Sequence, residues 1–403
     1  MEIPKSMLDG AFTNLPLDDV YFGPGSISKL ADALDARNVK RAVVVTGHSI
    51  ASNAELIGKL EAALGPRLAG IYSETHAHVP RSSVLAVAEF ARSKGADGLV
   101  SFGGGSPNDT MKAIGWALAE DVQDEDEFDK FSTKFEYPDK LEIPALTKQP
   151  LPTFAIPTTL SAGEFTAFFG ITDEKRKVKD VFHDSKLTAK AVILDPELTL
   201  ATPEWLWLST GIRAVDHCVE QLLSSKAQPY TDALASHALN MLYRYLKDCK
   251  KDPHDLAARG QCQVAAWLSF FSVANVTLGL SHGIGHQLGA RCNVPHGVTS
   301  CIMMHNVMEY NREVTLERQA WIADILGVEL QGDVLGSAIA AKEAILGLIR
   351  DDLGLPWRLR DVNVTEADFE LIARDAMQDL IVATNPRKVS SEADVVALLA
   401  QAY

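Results

Sequence analysis

The apolar pattern changes character once, near residue 200, and that change limits the possible folds more than any other feature. Before it, short β-rich runs alternate with helical stretches. Arg41–Thr46 reads as a compact apolar strand, followed by a turn at Gly47-His48 and an amphipathic helix to about Leu64. A weaker strand at Leu68–Tyr72 precedes the helical pattern Ser82–Lys94, and Asp97–Phe102 reads as a buried strand. Leu151–Pro157 and Lys190–Asp195 extend the series. Near-continuous apolar strands separated by helices predict a parallel sheet with helices on both faces. After Asp195-Pro196 strand signals vanish, and Pro203 opens a run of helical periodicity to Tyr403, with breaks near Pro229, Pro253, Pro295, Pro356 and Pro386. At 403 residues the chain exceeds one ordinary core. The reading is an α/β domain over residues 1–200 and an all-helical domain over 201–403.

Charge narrows the partners. Lys and Arg number 38 against 53 Asp and Glu, a formal charge of −15, with a pI near 5.2. That field repels phosphate backbones and anionic lipid, so no nucleic acid and no membrane is expected as a partner. A small-molecule substrate is, and a local cation cluster can still admit an anionic one. The opening MEIPKSMLDGAF has no basic segment followed by an apolar core, so no signal peptide is expected. Five cysteines, none in a CxxC pair, fit reduced thiols in a cytoplasm. The acidic stretch Glu120–Asp129 reads as a solvated loop.

Two turns carry nucleotide chemistry. Gly103-Gly104-Gly105-Ser106 lies directly after a strand and before a helix. Without Cβ atoms the backbone N–H groups can approach a pyrophosphate, and the helix N-terminus adds partial positive charge. Asp109 in the first helical turn suits capping or a ribose hydroxyl. A tight structural turn is the plain alternative, and the GxGxxG fingerprint is absent. Ile156–Gly163 ends another strand with three hydroxyls, from Thr158, Thr159 and Ser161. Two such turns at neighbouring strand ends favour a nucleotide crevice.

The helical half concentrates histidines. His282 and His286 share a helix face, His296 follows a turn at Pro295, and His217 lies upstream in Gly211–His217. A lone histidine is usually structural, but four of the chain's 11 stand in two glycine-flanked clusters. Imidazoles so spaced suit a divalent metal or a proton relay.

Taken in order, Phe22–Gly25, Gly103–Asp109, Ile156–Thr159, Ile193–Pro203, the histidine segments and Asn385-Pro386-Arg387 resemble the iron-containing (group III) alcohol dehydrogenase and dehydroquinate synthase-like superfamily. The resemblance implies a dinucleotide-binding α/β domain, a helical catalytic domain, a cleft between them and a cytoplasmic homodimer. It implies that Gly103, Gly104, Gly105 and Ser106 hold the pyrophosphate with Asp109 nearby. Thr158, Thr159 and Ser161 would line the adenine and nicotinamide regions, and Lys179 would reach the ribose, with Lys177 the alternative register. Gly47 stands where NAD-specific relatives often carry aspartate, so the cofactor is NAD or NADP.

Metal-dependent relatives use one aspartate and three histidines. His217, His282 and His296 match the histidine positions and His286 a proton-relay position, but the aspartate position is Arg213. Like charges about 4 Å apart repel by roughly 4 kcal/mol at an effective dielectric near 20, which argues against a bound metal. Asp216 is turned about 100° from His217 along the helix, and in relatives the glutamate at Glu220 is not a ligand. The maleylacetate reductase branch also lacks the ligand aspartate, keeps the histidines and works without metal, although it commonly has asparagine at the Arg213 position. The implied activity is hydride transfer from NAD(P)H to an unsaturated keto acid or related carbonyl acid, in aromatic compound catabolism. Arg213 would serve as electrophile or carboxylate anchor, and His286, with His282 or His296, would deliver the proton. The alternatives are an Fe- or Zn-dependent alcohol dehydrogenase, a dehydroquinate synthase-like lyase and a nucleotide-binding regulator.

Overall fold

The computed structural model describes residues 11–403 apart from 77, 138, 177 and 331. The first ten residues, on which the signal-peptide expectation bears, and Lys177 lie outside the described residues. The chain divides into two compact units: Leu15–Lys134 with Leu141–Thr202, and Pro203–Tyr403 with Phe135–Lys140 and residues 11–14. A single cut at residue 200 thus misassigns two short stretches. Specific bonds hold both to the helical unit. The Tyr137 phenol donates to the Val389 carbonyl at 2.6 Å, and Asn275 Nδ2 donates to the Thr13 carbonyl at 2.9 Å.

The first unit is α/β, as its alternating pattern requires. Its strands are β1 (Asp19–Phe22), β2 (Ala42–Thr46), β3 (Leu68–Tyr72) and β4 (Gly98–Gly103), then β7 (Thr153–Pro157), β8 (Phe168–Asp173), β9 (Val178–His183) and β10 (Ala191–Leu194); the short β5 (Lys134–Glu136) and β6 (Lys140–Glu142) fall at the two ends of the stretch assigned to the helical unit. Six of them form one parallel sheet in the order β1-β10-β7-β4-β2-β3. Side chains alternate between two buried faces. Ala42 and Val44 pack with helices α1 (Leu30–Asp35) and α3 (Ala54–Leu64), which flank the short α2 (His48–Ala51). Val43 and Val45 pack with α4 (Arg81–Ser93) and α5 (Gly105–Glu120). Burial on both faces explains why the strands read as continuous apolar runs.

Strand order reverses at β2: the chain passes outward to β3, then returns to the other side of β2 as β4. In open α/β sheets such a reversal leaves a crevice at the carboxyl ends of the strands. Thr46 is level with Phe102, and Gly103 with Pro157, so Gly47, the glycine turn and the threonine turn share one edge.

Two features escaped the sequence pattern. The antiparallel hairpin β8–β9 is one. The other is the acidic stretch, which is not merely solvated: Phe128 is fully buried and meets Phe182 edge-on at 6.1 Å. Buried Arg81 donates to Asp129 at 2.6 Å and to Asp180 at 2.7 Å.

The second unit is helical: α6 (Glu204–Leu223), α7 (Pro229–Lys251), α8 (Leu256–Phe270), α9 (Leu280–Cys292), α10 (His296–Leu326), α11 (Val334–Gly347), α12 (Phe369–Ala376), α13 (Leu380–Ala383) and α14 (Glu392–Gln401). Its breaks fall where the prolines put them, with Pro229 opening α7 and Pro295 capping α10. No single described helix is long and apolar enough to cross a membrane. Every residue of α6 from Trp207 to Leu223 is buried. This helix is central, and its polar residues must find partners inside the protein.

Phe128→Ala should cost about 3–5 kcal/mol, read as a lower urea midpoint at unchanged slope. A midpoint within experimental error of the parent would restore the solvated-loop reading.

Candidate active site

In the α/β unit the two turns expected to hold a nucleotide lie against one another. Gly103 has φ 143°, and a Cβ there would lie 3.0 Å from Pro107 Cγ, so a side chain is excluded on two counts. The Thr158 N–H donates to the Gly103 carbonyl at 2.9 Å, locking the turns together. Thr159 and Ser161 lie against Gly104 and Gly105. Gly104 caps α5 without a side-chain hydrogen bond, so the first N–H groups of this 16-residue helix are not covered by a cap. These features suit a pyrophosphate. Asp109 has other duties than capping: Oδ2 accepts from Gly170 N at 3.4 Å and pairs with Lys179 Nζ at 3.7 Å. Gly47 opens α2, with only Thr75 Oγ1, at 3.6 Å, within reach of a Cβ placed there.

In the helical unit the histidine cluster is built around α6, which contributes Arg213, Asp216, His217 and Glu220, one turn apart on its inner face. A Cβ on Gly297 would fall 2.7 Å from the Ser209 backbone, so glycine there lets α10 touch α6 and brings His296 and Ser300 onto Arg213. The buried guanidinium donates to Ser300 Oγ at 3.1 Å and to His296 Nε2 at 2.6 Å. Arginine has only donors, so His296 Nε2 must accept and its proton resides on Nδ1. Burial lowers the Arg213 pKa to about 10, against the pull of Asp216 and Glu220, and leaves it charged at neutral pH.

Glu220 organises α9. It accepts from Gly279 N at 2.7 Å, Ser281 N at 2.8 Å and His282 Nδ1 at 2.8 Å. Asp216 accepts from Ser281 Oγ at 2.7 Å and lies 3.5 Å from His282 Nδ1. Burial pushes both carboxyl groups above the usual range, and it holds His217 and His282 well below the usual imidazole value, as neutral rings. His217 stacks on Phe270, ring centres 3.9 Å apart. His282 Nε2 is buried without a protein partner.

The fourth histidine is held differently. His286 Nδ1 meets Asp379 Oδ2 at 2.7 Å, and its ring stacks on that of His296 at 5.5 Å. An Asp–His pair of this kind fixes the orientation and tautomer of the imidazole. Each of the other two histidines expected to carry the proton also has one ring nitrogen engaged, His282 by Glu220 and His296 by Arg213. Pattern reasoning missed Asp379, Ser281 and Ser300: a single Asp or Ser in a helical stretch carries no local signal. Asn385 stands out in the sequence only as part of a motif. In the fold it accepts from Leu280 N at 3.2 Å and exchanges amide bonds with Asn311 at 2.7 and 3.0 Å, clamping α9 to α10.

The ligand set implied by resemblance is not assembled as a chelate. A metal would need the His296 Nε2 lone pair that the guanidinium engages, and would sit beside a fixed cation. Among the described residues, groups with metal-ligand spacing are Asp216–Glu220–His282 and Asp129–Asp173–Asp180; neither contains the three histidines together.

Comparison with known proteins agrees on lineage. The model described as "Iron-containing alcohol dehydrogenase" matches residues 18–196, and "Fe-containing alcohol dehydrogenase family, C-terminal" matches 207–403. Lactaldehyde reductase of Escherichia coli (strain K12) is 33% identical over 400 residues, covering 96% of this chain and 98% of that one. Maleylacetate reductase of Pseudomonas sp. (strain P51) is 27% identical over 387 residues, 95% of each. The crystal structure of a 1,3-propanediol oxidoreductase superposes with TM-score 0.88 at 29% identity, covering 98% of this chain and 100% of that one.

Asp379→Asn should lower kcat by about 10²-fold, near the low end for general acid–base catalysis. A variant with unchanged kcat would remove Asp379 from the proton path.

Proposed function

The chain belongs to the iron-containing alcohol dehydrogenase family, and from that premise we propose that it transfers hydride between NAD(P)H and a small carbonyl compound bearing a carboxylate, with Arg213 standing where relatives bind a cation. The observation carrying this reading is the guanidinium itself: buried, charged, and fixed by Ser300 and His296. As hydride reaches the carbonyl carbon, negative charge grows on oxygen. A preorganised cation in a dry site stabilises that charge without reorganising. Arg213 has further N–H groups beyond its two side-chain bonds, and a guanidinium matches carboxylate geometry. His286, oriented by Asp379, supplies the proton to the oxygen. Glu220 and Asp216 hold His282 and offset the positive charge.

The maleylacetate reductase relative supports an acid substrate, while the lactaldehyde reductase relative supports a small aldehyde. Substrate assays separate them: keto acids and enoic acids against simple aldehydes, with each nicotinamide cofactor, with and without EDTA. The expected result is preference for the acid and activity untouched by chelation. A simple aldehyde as best substrate, or EDTA-labile activity with stoichiometric iron or zinc, would overturn the proposal.

Arg213→Met should reduce kcat/KM for the acid about 10²–10³-fold, the range for losing one preorganised electrophile. Gly47→Asp places a carboxylate at the strand end beside the cofactor ribose. It should shift the ratio of kcat/KM toward NADH by at least about tenfold through repulsion of a 2′-phosphate; an unchanged ratio would place the ribose elsewhere.

A further inference from the structure

Two cysteines lie outside the machinery above. Cys249 is in the last turn of α7 and Cys262 in the second turn of α8, helices joined by a short loop. Their Sγ atoms are 3.9 Å apart, and both are buried. A disulfide needs about 2.05 Å, so the two sulfurs, already in contact, must close by roughly 2 Å to bond.

We propose that Cys249 and Cys262 form a peroxide-oxidisable dithiol. The chemistry balances without another reactant. The Cys249 thiolate attacks hydrogen peroxide, giving a sulfenic acid and hydroxide. Cys262 sulfur then displaces the sulfenic oxygen, forming the S–S bond, and the two protons leave in water. Overall, two thiols and one peroxide give one disulfide and two waters.

The environments assign the order. The hydrogen bond from Cys262 lowers the Cys249 pKa, aided by the charge of Arg259, whereas burial raises Cys262 well above the usual thiol value. Arg259 is held in place, donating from Nε to the Pro253 carbonyl at 2.6 Å and lying 4.5 Å over the Trp207 ring. The other thiols lack this asset: burial raises Cys218, Cys301 and Cys292 alike. Cys249, in the last turn of α7, is the attacking sulfur, and Cys262, inside α8, the resolving one. A helix terminus also opens more readily than a helix centre, which gives so small an oxidant its route.

The test treats the intact protein with stoichiometric hydrogen peroxide, alkylates remaining thiols and maps the products by mass spectrometry. Cys249 and Cys262 should disappear together into one cross-linked species that dithiothreitol reverses, about tenfold faster than Cys292 is oxidised. In Cys262→Ser, Cys249 should be trapped as a dimedone adduct. In the wild-type protein, quantitative alkylation of both residues while Cys292 oxidises would overturn the assignment. So would a Cys249→Ser protein whose Cys262 oxidises at the wild-type rate.

Discussion

A guanidinium with no solvent to share its charge can persist only where its neighbours accept hydrogen bonds and carry compensating charge. Arg213 meets both conditions. Ser300 and the unprotonated Nε2 of His296 accept from it, two carboxyl groups on the same helix oppose its charge, and His217 and His282 stay neutral beside it. Much of the helical unit can be understood as the packing that makes this arrangement possible. A helix buried on every side has to bring its polar groups inward, and a glycine on α10 lets the acceptors come close enough.

The α/β unit solves a different problem by similar means. There the register of β2, β4 and β7 aligns three strand ends, and glycines leave backbone N–H groups approachable. In one unit close approach exposes donors for a ligand; in the other it joins protein groups to one another.

Much of this was legible in the residue pattern. Parallel strands were visible because both sheet faces are buried, and helix limits because proline ends or opens them. The four histidines stood out through spacing, Arg213 through the family resemblance, and the glycine turn through its place after a strand. What stayed hidden depended on long-range partnership. Asp379 becomes meaningful only against His286, Ser300 only against Arg213, and Glu220 only when α9 lays three donors on it. The hairpin β8–β9 was lost because its strands are half polar, with Lys179, Asp180 and His183 interrupting the apolar signal. The domain division missed residues 135–140 because one phenol, not a composition change, decides where they sit.

The clasp made by Asn385 has a temporal consequence. Its contact with Leu280 spans 105 positions of chain, and that of Asp379 with His286 spans 93. Contacts so distant along the polymer form late, since the entropy of closing the intervening loop must be met first. During synthesis, α6, α9 and most of α10 emerge before either residue exists. The chain therefore passes through an interval in which these imidazoles are present but the residues that orient them are not.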